Sequence, residues 1–209
     1  MSQYFQIHPV TPQQRLINQA VDIIRKGGVI AYPTDSAYAL GCRLDDKQAM
    51  DRIRQIRNLD ERHHFTLVCR DLSEIGVYAR VNNTAFRLIK AHTPGPYTFI
   101  LAATREVPRR LLHPKRKTIG LRVPDNAIAQ ALVAGMGEPL ASTTLQLPGD
   151  ERPLSDPEVI RERLERQVDL VIDGGHGPVE PTTVVDFVED VPEVVRHGAG
   201  DPSAFEGQG

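Results

Sequence analysis

Apolar residues recur along this chain in two alternating rhythms, one near 3.6 residues and one of 2, which predicts helices and strands taken in turn. Leu16, Ala20, Ile23 and Ile24 form the stripe of a first helix, which Gly27 and Gly28 end. Thr11, Pro12 and Gln14 read as its capping box, with the proline at the first helical position. A second helix is capped by Asp45 or Asp46 and runs through Arg57, with Met50, Ile53 and Ile56 inward and Asp51, Arg52 and Arg54 outward. Asn82 or Asn83 starts a third, bearing Phe86 and Ile89, and Thr93-Pro94-Gly95-Pro96 breaks it. Asn126 to Met136 is a fourth. Ser155, Asp156, Pro157 and Glu158 read as a second capping box, opening a charged helix to Gln167.

Strands are predicted at Val29 to Tyr32, Thr66 to Cys69, Tyr97 to Ala102, Thr118 to Val123, Pro139 to Thr144 and Val168 to Ile172. Thr182 to Val188 and Val191 to Arg196 form a closing hairpin across an acidic turn. Such a turn cannot be a parallel crossover, so the sheet is mixed. The expected fold class is α/β: a twisted open mixed sheet flanked by helices, one domain over residues 1–200. The tail 201–209, rich in glycine and polar residues, is expected to be flexible.

A chain of 209 residues with 40% apolar and 25% charged content supports one sizeable core. Its net charge of -2 argues against a generally basic nucleic-acid coat, so an anionic partner needs a local concentration of cations. One exists: Arg105, Arg109, Arg110, Lys115, Arg116, Lys117 and Arg122 face a single acid in that stretch, Glu106. Cys42 and Cys69 have no metal spacing, and Met1 to Pro9 lacks both a basic start and an apolar core. The expectation is a reduced cytoplasm, with no secretion and no membrane span.

The candidate chemistry begins where the strand at Val29 closes on Pro33, because Thr34, Asp35 and Ser36 then sit at a strand's carboxyl end, where open α/β sheets bind ligands. No P-loop, no dinucleotide fingerprint and no nucleophile elbow occurs in the chain. His63 and His64 are adjacent, so they point apart on most backbones, and no third residue has metal-ligand spacing. They read as a solvated loop pair.

Six segments in order carry a resemblance that no single one would: Tyr32 to Gly41, Thr93 to Leu101, Ile119 to Pro124, Asp169 to Gly175, Pro181 to Asp186 and Val194 to Gly198. Together they resemble the threonylcarbamoyl-AMP synthase family, the YrdC-like domain, over nearly the whole chain, and their wording is closest to its YciO branch. The resemblance implies a concave cationic cavity in which L-threonine, bicarbonate and ATP, with Mg²⁺ accompanying the ATP, become threonylcarbamoyl-AMP and pyrophosphate. That is the first half of the threonylcarbamoyladenosine modification of tRNA. It is a nucleotidyl transfer without a covalent enzyme nucleophile, achieved by positioning and charge neutralisation.

Carried over residue by residue, the resemblance places Ser36, Cys69, Arg122 and Thr182 on the threonine side. Arg122 holds the carboxylate, and Cys69 stands where the family has a histidine. Arg57, Leu59, Thr144, Gln146, Arg152 and Arg196 fall on the nucleotide side. Two signatures depart from the family: its Lys-x-Arg is Arg57-Asn58-Leu59 here, and its Ser-x-Asn is Thr144-Leu145-Gln146. Leucine cannot replace an arginine that grips phosphate. Three readings follow: a weak or altered synthase; a protein that binds ATP or AMP, or double-stranded RNA through Arg109, Arg110, Lys115, Arg116 and Lys117, without efficient chemistry; or a domain without a ligand.

Overall fold

The two apolar faces read from the chain are buried on opposite sides of one sheet. A computed structural model describes residues 1–61 and 63–207. Among them the strands are β1 (Gln3–Gln6), β2 (Ile30–Tyr32), β3 (Ala39–Arg43), β4 (Thr66–Val68), β5 (Tyr97–Ala102), β6 (Thr118–Arg122), β7 (Leu140–Thr144), β8 (Leu170–Asp173), β9 (Thr183–Asp186) and β10 (Glu193–Arg196). The helices are α1 (Gln14–Arg25), α2 (Lys47–Arg57), α3 (Leu72–Tyr78), α4 (Asn83–Ala91), α5 (Ala127–Met136) and α6 (Pro157–Leu164). The sheet order is β1-β8-β2-β3-β7-β4-β6-β5-β9-β10, with parallel and antiparallel neighbours, so the sheet is mixed as expected.

Local chemistry accounts for most element ends. Asp46 caps α2 by accepting from the Ala49 N–H at 2.9 Å, and Asn58 ends it at φ 53, a left-handed position that asparagine tolerates. Asn82 and Asn126 cap α4 and α5 in the same way. Two expected capping boxes are not formed. The Thr11 hydroxyl turns back to the His8 ring at 3.1 Å, and α1 starts after Gln13 with no side-chain cap. At α6 the cap is Asp156 rather than Ser155: it accepts from the Glu158 N–H at 2.9 Å with Pro157 in the first turn, and the helix stops at Leu164, short of Gln167.

Three elements have no counterpart among the predicted ones. The β1 strand is short and polar, and is held in parallel register with β8. The sequence of β3, Ala-Leu-Gly-Cys-Arg, is poor in strand formers, yet the strand is paired on both sides, by β2 and β7. The third, α3, is a seven-residue helix capped by Asp71. The tail also differs from expectation. Phe205 is 2% exposed and packs against Tyr97, Phe99 and Phe187, so burial of one aromatic ring anchors residues 201–207. Residues 208 and 209 lie outside the described residues.

On one face α1 and α5 pack over the β1-β8-β2-β3 half of the sheet, burying Ile17, Ile24, Ile128 and Leu132 against Ile30 and Tyr32. Gly135 permits the close approach, since a Cβ there would stand 2.8 Å from a Val21 methyl. The other face carries the larger core, with Met50, Ile53, Ile75, Ile89 and Ile160 against Leu40, Leu67, Phe99 and Leu121.

Candidate functional site

Beyond α1 and α5, the face those helices cover continues as a bare floor. Ser142, Thr66, Gly120 and Ile100 lie directly opposite one another in a single row across β7, β4, β6 and β5. Because side chains alternate along a strand, the floor also takes Thr98, Thr118, Arg122 and Thr144, while Phe99, Ile119 and Leu121 point into the opposite core. The result is a cavity of about 350 Å³, within the size range of small-ligand sites. Gly120 keeps its centre low: a Cβ there would stand 3.2 Å from the Thr98 methyl and 3.5 Å from the Thr66 hydroxyl.

Among the described residues four arginines reach the cavity, Arg57, Arg116, Arg122 and Arg196, and none of the lining residues is a carboxylate. Each arginine is held by protein acceptors. Arg122 donates from Nη1 to Ser36 Oγ at 3.1 Å and from Nη2 to Asp35, while its buried Nε has no partner. Ser36 is set by Thr34, whose Oγ1 accepts from the Ser36 N–H at 3.1 Å. Arg196 donates to the Thr182 carbonyl from Nε and Nη2, at 3.0 and 2.8 Å, and to Thr182 Oγ1 from Nη2 at 3.0 Å. Thr182 Oγ1 also meets Thr98 Oγ1 at 2.8 Å. Arg116 donates from Nη2 to Asp186 at 2.8 Å. Arg57 donates from Nε to the Gln146 carbonyl at 3.0 Å and from Nη1 to Thr143 Oγ1 at 2.7 Å.

Burial lowers the pKa of Arg57 and of Arg196, the latter helped by the like charge of Arg122, yet a guanidinium stays charged at neutral pH. Arg122 and Arg116 are ion-paired with Asp35 and Asp186, whereas among the described residues Arg57 and Arg196 bond only neutral groups, so the charge of these two favours an anionic ligand.

The residues expected at the site divide. Arg57, Arg122, Thr144, Gln146, Thr182 and Arg196 line the cavity together, and Ser36 stands behind Arg122. Cys69 does not line it; its side chain is 0% exposed in the opposite core, and burial raises its thiol pKa well above the ordinary value. Leu59 and Arg152 are also outside the lining, Leu59 just past the turn that ends α2 and Arg152 on an exposed loop. Within the basic stretch, Arg109, Arg110, Lys115 and Lys117 are exposed and outside the cavity, whereas Arg116 turns into it. The turn depends on His113, whose Nδ1 accepts from the N–H groups of Lys115 and Arg116 at 3.3 and 3.1 Å.

The histidines correct a second expectation. His63 is half-buried while His64 is exposed as expected; both line the cavity with His113, and the His64 and His113 rings lie 4.9 Å apart at 33°. His63 meets Thr143 Oγ1 at 3.0 Å, and burial, then the charge of Arg57, pushes its pKa from 6.5 down to about 4. Among the described residues no cluster of three or more histidines, cysteines or acids could hold a metal ion. Cys42 and Cys69 are both buried free thiols, and among the described residues no helix is long and apolar enough to cross a membrane.

The ten-stranded mixed sheet with its flanking helices is the YrdC-like fold. The chain belongs to the Sua5, YciO and YrdC family, whose model, described as telomere recombination, matches residues 22–198. It is 64% identical over 205 residues to "Uncharacterized protein YciO" of Escherichia coli (strain K12), covering 98% of this chain and 100% of that one. The crystal structure of E. coli YciO superposes with a TM-score of 0.95, covering 99% of this chain and 100% of the other. A threonylcarbamoyl-AMP synthase of Vibrio cholerae is 32% identical over 171 residues, 78% of this chain and 90% of that protein. The P. abyssi Sua5 structure complexed with L-threonine matches at 25% identity and a TM-score of 0.86, over 93% of this chain and 57% of that one.

Proposed function

We propose that this cavity binds ATP and an amino acid of the threonine type and joins them as threonylcarbamoyl-AMP synthases do, more weakly than a chain that carries the full family signature. The observation that carries the reading is the set of four arginines around a lining that, among the described residues, has no carboxylate, with Arg57 and Arg196 bonded only to neutral groups. Family membership and the similarity to a synthase support it.

In this reading the threonine amine captures carbon dioxide as a carbamate, losing one proton. A carbamate oxygen attacks the α-phosphorus in line, and pyrophosphate leaves with the electron pair of the broken P–O bond. Arg122 and Ser36, already joined by a hydrogen bond, receive the amino-acid carboxylate. Thr182 offers a hydroxyl beside it. Arg57, Arg116 and Arg196 neutralise phosphate charge, while Thr144 and Gln146 orient the chain of phosphates.

A resident Mg²⁺ does not fit these residues. Such an ion is ordinarily held by one or two carboxylates together with phosphates. Here Asp35 is engaged by Arg122 and the Asp125 N–H, and Asp186 by Arg116 and the Val188 N–H. Any magnesium therefore enters on the nucleotide's phosphates.

The second reading, nucleotide or double-stranded RNA binding without efficient chemistry, is favoured by Leu59, which supplies no guanidinium, and by the exposed Arg109, Arg110, Lys115 and Lys117. Pyrophosphate release from ATP, measured with and without L-threonine and bicarbonate, separates the two. Threonine-dependent release supports the synthase; ATP binding with no release supports the second.

A further inference from the structure

His63 has no role in the chemistry just described, yet it closes a chain of hydrogen bonds that begins at a cavity arginine. Thr143 Oγ1 is buried and meets two partners, Arg57 Nη1 at 2.7 Å and His63 Nε2 at 3.0 Å. A guanidinium can only donate, so Thr143 accepts from Arg57. The hydroxyl then has one proton of its own to place, and His63 Nε2 is the acceptor within reach. That assignment leaves His63 neutral, with its ring proton on Nδ1. The depressed His63 pKa agrees with it, and the groups facing the ring are Arg57, His64, Arg54 and Asp60. His63 is itself seated by its backbone N–H on the Asp60 carbonyl at 3.2 Å and by Phe65, edge-on at 6.1 Å.

We propose that His63 is a positioning residue for anion binding: as the terminal acceptor of the Arg57–Thr143–His63 chain, it holds the Arg57 guanidinium in one orientation, with Nη2 left for a phosphate. The inference rests on the reading of the cavity as an ATP site, and deepens it. With Nε on the Gln146 carbonyl and Nη1 on Thr143, two edges of the fork are defined, and a pre-set fork loses less freedom when a phosphate arrives. Without the acceptor, the Thr143 proton competes for other partners and the Nη1 contact loosens.

Calorimetric titration with ATP at pH 7.5, on wild type, His63→Ala, His63→Gln, Thr143→Val and the His63→Ala/Thr143→Val pair, tests the chain. Loss of one hydrogen bond predicts about fivefold weaker binding for His63→Ala. His63→Gln, whose side-chain oxygen can accept the same proton, should bind within about twofold of wild type. The double variant should be no weaker than Thr143→Val alone, because the two residues act as one unit. His63→Ala at wild-type affinity, while Arg57→Ala is weakened, overturns the proposal, as does a double variant whose loss is the product of the single losses. Hydrogen exchange at the Arg57 Nε–H, followed by nuclear magnetic resonance without nucleotide, separates this from failure of the ATP reading. Faster exchange in His63→Ala but not in His63→Gln upholds positioning even if ATP does not bind, and unchanged exchange overturns it.

Discussion

Asp35 binds Arg122 through one carboxylate oxygen and the Asp125 N–H through the other, the latter at 2.8 Å, so one side chain ties the end of β6 to the loop that starts α5. Both members of the ion pair are about nine-tenths buried. Removing one partner of such a pair leaves an uncompensated charge, which costs about 3 to 5 kcal/mol. Asp35→Ala is therefore expected to lower unfolding stability by about 3 kcal/mol in urea titrations. A loss below about 1 kcal/mol would mean that solvent already screens the pair.

Arg196 should govern nucleotide affinity. A charge-assisted contact is worth about 1.5 to 3 kcal/mol, so Arg196→Ala should weaken ATP binding by roughly tenfold or more in calorimetry. Equal affinity of both proteins would remove Arg196 from the nucleotide side.

Chelation provides an independent check on the carboxylate-free lining. Because the arginines rather than a held ion meet the phosphates, ATP binding should persist in EDTA and be no weaker than in Mg²⁺. Tenfold weaker binding in EDTA would contradict that assignment.

The His63 ring also fixes a direction for acid sensitivity. Its folded pKa lies near 4 against an ordinary 6.5, so between these values the unfolded chain takes up a proton that the folded one refuses. Its contribution to stability is fully present above pH 6.5 and is lost as pH falls toward 4. His63→Gln cannot titrate, so its Tm should fall less steeply than that of wild type across this window. Parallel curves would place the acid-sensitive group elsewhere.

The exposed basic residues make a separable prediction. Neutralising Arg109, Arg110 and Lys115 together should flatten the salt dependence of double-stranded RNA binding and leave ATP affinity unchanged, since none of them lines the cavity. Sequence preference should be weak, because an A-form duplex is read by shape. Adding Arg116→Ala should weaken ATP binding as well. A wild-type protein with no duplex binding at low salt in filter assays would reduce the stretch to a solvated loop.

Much of this architecture was legible because local signals agreed with it: the β5 strand, the Asp46 cap, and the hairpin of β9 and β10 all follow from short-range patterning. β3 was not, because its residues form a strand only when paired on both edges. Six of the residues carried over from family motifs, Arg57, Arg122, Thr144, Gln146, Thr182 and Arg196, converge on the cavity while Cys69, Leu59 and Arg152 do not, and His63 and His113 were missed, as a histidine in a loop has no periodicity. A signal for the floor was nevertheless present. On β5 and β6, Thr98, Thr118, Gly120 and Arg122 alternate with apolar residues of the opposite face, a polar row inside strands too central to face bulk water.

That floor has an evolutionary cost. Thr66, Thr118 and Thr144 are close to valine in size, and each places a hydroxyl where a methyl group would add apolar surface against its neighbours. Selection for thermal robustness alone, with no demand for ligand, would be expected to turn these threonines into valines first, yielding a hardier protein with a dry, inert floor. The three hydroxyls together are therefore a compact fingerprint of a floor able to take a polar ligand.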